Sequence, residues 1–239
     1  MLPNIAFMKR ILGLLCFLML IGCSTEQPNL IVSGKVNGLK KGSLYLERLV
    51  DTSLIVIDSM VINGDPEFIL QAYLEEPEVL YLTLNVNNEE RPNIAFFASE
   101  GTTTIHTTLK RFYHDAKIEG SEQQKMLEEY QGMIKQFNDR NLDLIKAEFD
   151  YQNDSLKLDS IRALSEQLIK SKYLYTVNFA MNNKESEVAP YLAVSQVFDA
   201  NVTYLDTLFN VLPNDIANSR YGIQLKDLIQ ARKNDTITN

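Results

Sequence analysis

One change of hydrophobic period, near Gly120, narrows the fold of this chain more than any other feature. From Leu30 to Ile118 the chain reads as short β segments rich in β-branched and aromatic residues. They run over Leu30 to Val36, Ser43 to Arg48, Leu54 to Ile62, Glu67 to Ala72, Val79 to Leu84, Ile94 to Ala98 and Thr102 to Thr107. Gly38 and Gly42 bracket a turn that joins the first two. Asn63-Gly64 is a hairpin signal, since both residues tolerate the positive φ of tight turns, and Pro66 just beyond it suits an edge or the first residue of a strand. These features predict an antiparallel meander or small sandwich with one face buried.

After Gly120 the apolar residues fall at helical spacing. Met126, Tyr130, Met133, Phe137, Leu144, Ile145 and Phe149 make one stripe; Leu158, Ile161, Leu164, Leu168, Tyr175 and Phe179 make a second. Ser121 with Gln124 three residues on is a capping-box signature, and Asn153-Asp154-Ser155 reads as a break. The two stripes therefore predict a long antiparallel helical hairpin. Shorter helices are expected over Glu187 to Phe198, Tyr204 to Val211 and Arg220 to Arg232, with Pro213 starting a further turn. Because strands and helices are segregated, the fold class is α+β, with a β domain over 30–119, a helical domain over 120–233 and a polar tail over 234–239.

The N-terminus carries an address. Leu20-Ile21-Gly22-Cys23, at the end of the apolar stretch from Ile11, resembles a bacterial lipobox, with Lys9 and Arg10 as its basic n-region. About 11 apolar residues at ~1.5 Å rise cover roughly half of the ~30 Å hydrocarbon core, so the stretch reads as a signal peptide over 1–22 and not as a span. Met8 opens the pattern so naturally that translation is read as starting at Met1 or Met8. The resemblance implies acylation of the Cys23 thiol, cleavage before it and attachment to a membrane through lipid, with 23–29 as a lipidated linker. Processing removes Lys9, Arg10 and no acidic residue, so the net charge moves from −8 to −10, which repels nucleic acid. It also discards Cys16 and consumes Cys23, the two cysteines of the chain, which removes thiol redox chemistry and cysteine metal ligands.

Val32-Ser33-Gly34-Lys35-Val36-Asn37-Gly38-Leu39, followed by Leu44-Tyr45-Leu46-Glu47-Arg48, Ile57-Asp58-Ser59 and Phe68, resembles the uncharacterised N-terminal domain (domain of unknown function 4369) of bacterial envelope lipoproteins. Those proteins often carry a C-terminal thioredoxin-like domain. Ile118-Glu119-Gly120-Ser121, and the stretch from Val188-Ala189-Pro190-Tyr191-Leu192-Ala193 to Lys233, resemble the region that precedes that domain. The longer members continue into a Trp-Cys-x-x-Cys site, whereas these 239 residues contain no Trp, so the resemblance implies no catalysis here.

Other chemistry is sparse. Alternation puts His106 on the face of Thr102 and Thr104, opposite Ile105, as a solvated strand histidine without an orienting carboxylate. His114-Asp115 needs a loop to act together, and no nucleophile motif accompanies it. Glu75-Glu76-Pro77-Glu78 and Glu89-Glu90-Arg91-Pro92 read as solvated turns without calcium-loop spacing. No cofactor or metal is expected. Five Asp-Ser/Thr-apolar triplets resemble the O-glycosylation sequon of some Gram-negative envelope proteins, at Ser59, Ser155, Ser160, Thr207 and Thr236. Asp154-Ser155 and Asp206-Thr207 also fit ordinary helix caps, and Thr236 in the polar tail is the leading site.

The function expected is that of a non-enzymatic, lipid-anchored envelope lipoprotein that binds another envelope protein. Ser24 after Cys23 lacks the Asp of inner-membrane retention, which favours the outer membrane by resemblance to Gram-negative sorting and leaves its periplasmic or surface face open. Two alternatives stand beside it. One is the orphaned or truncated front of a thioredoxin-like thiol-disulfide oxidoreductase; the other is a glycan-binding module using Tyr45, Tyr73 or Tyr81 as stacking platforms.

Overall fold

The computed structural model describes residues 27–86 and 91–238. The strands are β1 (Leu30–Asn37), β2 (Lys41–Val50), β3 (Ser53–Asn63), β4 (Glu67–Ala72), β5 (Glu78–Asn85), β6 (Asn93–Ala98), β7 (Gly101–Thr108) and β8 (Lys117–Glu119). They form two four-stranded sheets, β4-β1-β7-β8 and β3-β2-β5-β6. Leu30, Val32, Val36, Phe68, Leu70 and Ile105 from the first meet Leu44, Leu46, Leu80, Leu82, Leu84 and Phe96 from the second in one core. The α+β expectation holds, and the β part is a sandwich.

Two details differ from the sequence reading. β1 pairs with β7 in parallel, so the first sheet is mixed. Asn63-Gly64 does not close a paired hairpin: β3 and β4 belong to different sheets, and Gly64, at φ 101, turns the corner between them with its N–H on the Lys40 carbonyl. Pro66 precedes β4, an edge strand, and its carbonyl accepts the Val36 N–H.

The helices are α1 (Glu122–Asp150), α2 (Ser155–Asn182), α3 (Val188–Gln196), α4 (Val202–Val211), α5 (Asn214–Ala217) and α6 (Arg220–Thr238). α6 continues through the segment expected as a polar tail. α1 and α2 form the expected antiparallel hairpin, but the seam differs from the anticipated stripes. Leu127, Tyr130, Ile134 and Leu144 of α1 and Ile161 and Phe179 of α2 are buried, with Leu127, Tyr130 and Ile134 three and four residues apart on one face of α1. Met133, Ile145, Phe149 and Leu164, expected on the stripes, face solvent instead. A helix-only core, with Val177, Ala193, Leu205, Leu208 and Leu225, lies where α2, α3, α4 and α6 meet.

The joint between the halves is at β6, an edge strand whose outward backbone groups need partners. α1 supplies them from its first turn. The Ser121 hydroxyl donates to the Phe97 carbonyl and accepts the Gln124 N–H, while the Gln124 side-chain carbonyl accepts the Phe97 N–H at 2.7 Å. The capping box is thus half used as the motif suggests: Ser121 caps, but Gln124 reaches across to the sheet. On the outer face of the same strand, fully buried Phe97 packs with Val79, Leu127, Tyr130, Leu192 and Tyr221. The Tyr130 hydroxyl meets Thr176 Oγ1 at 2.9 Å, and burial pushes its pKa up to about 12.

Gln124→Ala leaves the Phe97 N–H without its acceptor inside the joint. Urea unfolding should show a loss of about 1–3 kcal/mol, and Gln124→Glu, which restores an acceptor, should recover part of it.

Candidate functional site: a tyrosine-lined cleft

β2 and β5 stop pairing at Arg48 and Leu80, one residue short of Val79. The Val79 N–H therefore finds no strand partner and donates to the Tyr221 hydroxyl of α6 at 2.8 Å. This bond fixes α6 against the outer face of the second sheet. Tyr191 from α3 lies edge-on to both Tyr221 (centroids 5.1 Å apart) and Phe97 (5.5 Å). Between these helices and the β2–β3 turn is a cleft of about 400 Å³, lined among others by Asp51, Glu78, Tyr81, Tyr191, Arg220 and Gln224. Tyr191 and Ser195 are four residues apart, as are Arg220 and Gln224, so each helix turns one face to the cleft.

Glu78 lies at its base. It is only 2% exposed, and its carboxylate bonds Arg48 (Nε 2.8 Å) through Oε1 and Arg220 (Nη1 2.8 Å) through Oε2. Glu76 accepts the Arg220 backbone N–H and so holds the start of α6. Burial raises the Glu78 pKa, against the two guanidiniums, which lower it. Burial also raises the Tyr81, Tyr191 and Tyr221 hydroxyls. The run Glu75-Glu76-Pro77-Glu78, read from sequence as a solvated turn, is therefore corrected. Its last member is an ion-pair hub joining strand to helix, and only the partner arginines, distant in sequence, reveal it.

A second buried carboxylate also escaped the sequence reading. Glu47, on the outer face of β2, accepts the Thr83 hydroxyl and pairs with Arg91 at 3.0 Å. The Arg91 guanidinium in turn lies 5.1 Å from the centroid of the Tyr45 ring, which occupies that candidate platform. Tyr73 sits just past β4, partly exposed, whereas Tyr81 is half-buried in the cleft.

The histidines are exposed. His106 stands beside Thr104 on the outer face of the first sheet, opposite buried Ile105, as alternation predicts. It lines a shallow cavity together with His114 and Asp115. Asp115 does not orient either ring, because its oxygens engage Thr108 Oγ1 at 2.8 Å and Arg111 Nε at 3.3 Å. Among the described residues no group of three or more His, Cys, Asp or Glu has the placement to hold a metal ion.

Ser59, Ser155, Ser160 and Thr207 are all exposed. Asp154 caps α2, accepting the Lys157 N–H, as the cap reading has it. Asp206 is no cap: α4 starts from Asn201, and Asp206 pairs with Lys233 at 2.6 Å inside the helix region. Thr236 lies in the last turns of α6, and its side chain is outside the described residues, as are Cys23, the lipobox and Glu89-Glu90.

A β-sandwich whose second sheet is roofed by a helical region defines the class of protein. Residues 30–127, which span the sandwich and the start of α1, match the model of a family described as Domain of unknown function (DUF4369). No curated protein matches the chain.

Because folded Glu78 holds its proton more tightly than the unfolded chain does, its contribution to stability is full below the unfolded carboxylate range and is lost as pH rises through its folded value. Lowering the pH from neutral should therefore shift the stability difference between the unaltered protein and Glu78→Gln in favour of the unaltered protein. Urea unfolding of both across that range reads the shift; a difference independent of pH contradicts the assignment.

Proposed function

We propose that this chain is a lipid-anchored bacterial envelope lipoprotein, attached through Cys23, that acts as a non-catalytic module binding another envelope protein. The lipobox resemblance supports the anchor, and the sorting residue Ser24 favours the outer membrane. The observation that carries the binding role is the far end of the α1–α2 hairpin. Beyond Phe137 and Tyr175 the two helices bury only Leu144 and Ile161, and roughly 12 residues of α1, about 18 Å, extend past the shared core. Among the exposed charges of that extension, such as Asp139, Asp143 and Lys146, stand large apolar side chains: Leu142, Ile145, Phe149 and Leu156 are 63%, 54%, 72% and 80% exposed. Large apolar side chains grouped on a water-facing surface mark a place where another molecule binds. The partner that fits presents an apolar surface of its own, with polar groups at its rim for Lys146, Asp150 and Lys157.

Two measurements test this. Cys23→Ser should move the protein from the membrane fraction to the soluble fraction, and retention in the membrane fraction contradicts the anchor. Phe149→Ser with Leu156→Ser should leave stability within about 0.5 kcal/mol, because both side chains are solvent-facing. The same pair should abolish capture of the partner cross-linked in intact cells. Unchanged capture would place the binding surface elsewhere.

A further inference from the structure

We infer that the tyrosine-lined cleft is a binding site for a neutral saccharide. It rests on different residues from the hairpin surface, so the two readings stand or fall separately. Its size, about 400 Å³, suits a disaccharide-scale ligand. Tyr81 and Tyr191 are each half-buried, which leaves part of both rings open to the cleft. A sugar ring presents an apolar C–H face and a periphery of hydroxyls, so it asks for an aromatic surface with hydrogen-bonding groups around it. Gln224 and Asp51 supply that rim with an amide and a carboxylate, and Ser195, whose hydroxyl donates to the Tyr191 carbonyl at 2.7 Å, offers its oxygen as an acceptor.

Charge narrows the ligand class. Arg220 is spent on Glu78 and Glu76, so among the described residues lining the cleft no further cation is offered to a phosphate or a carboxylate. Among the described residues Asp51 has no ion-pair partner, and it opposes an anion further. A purely aliphatic ligand would leave Asp51 and Gln224 desolvated without compensation. A neutral polyhydroxylated ligand satisfies both constraints.

The walls are also preformed. Tyr221 is tied to Val79, and the start of α6 to Glu76. Asp51 is held at φ 54, the left-handed region that a non-glycine residue occupies at a cost, and this places it on the rim of the cleft. Walls held before binding spare the ligand the cost of ordering them.

The test uses the full acylated chain in micelles of a detergent without a sugar headgroup. Cellobiose, maltotriose and N,N′-diacetylchitobiose are titrated by calorimetry. At least one should bind; Tyr81→Ala should weaken it by about tenfold or more, and Tyr45→Ala, outside the cleft, should not change it. Gln224→Trp, which starts from an exposed helix position and fills the mouth of the cleft, should block binding while the fold stays intact. Absence of binding by all three probes up to about 10 mM overturns the proposal, and so does unchanged affinity in both cleft variants. Either result leaves partner capture by the hairpin unaffected.

Discussion

The outward edge of β6 is the constraint on which the rest of the molecule depends. A strand edge in a protein interior has to be covered, and here α1 covers it with two side chains of its first turn, Ser121 and Gln124. That contact fixes where the 29-residue α1 starts and the direction in which it leaves the sandwich. It also places Phe97, fully buried, under Tyr191 and Tyr221 of the later helices. The hairpin, the helical roof and the cleft all follow from this one docking. The β2–β5 pairing that ends early contributes the second tie, because the Val79 N–H is completed by Tyr221 and not by another strand.

Much of the architecture was legible from periodicity. Glu67–Ala72 is the strand the alternation marks, and the switch from β to α at Gly120 falls between β8 and α1. Ser121 caps where the motif places it. Local signals failed where the answer is set by distant partners. Asn63-Gly64 is chemically a hairpin turn, but the sandwich core takes β3 and β4 into different sheets. The parallel pairing of β1 with β7 joins residues about 70 apart, which no local pattern encodes. The three-residue β8 is too short to show a period.

The site was less legible than the fold, for an electrostatic reason. A glutamate in an acidic run looks solvated unless its cations are known, and Arg48 and Arg220 lie 30 and 142 residues from Glu78. Tyr81 is visible in the sequence as a candidate stacking platform, whereas Tyr191 and Tyr221 lie in segments legible only as short helices, and packing of α3 and α6 brings them to the same cleft. Apolar stripes on α1 and α2 were read from spacing alone, and the seam chosen by packing left Phe149 and Leu164 outside it. Ile145 and Phe149, which the period promised to a core, are left facing solvent in the same way.

Sandwich and helices form one cooperative body, joined at Phe97 and Glu78 and not merely linked in sequence. Urea unfolding followed at once by far-ultraviolet helical signal and by methyl resonances of sandwich core residues such as Leu82 and Ile105 tests it most directly. One coincident transition by both probes is the predicted result. Two separated transitions, with the sandwich remaining folded after the helices are lost or the reverse, would contradict it.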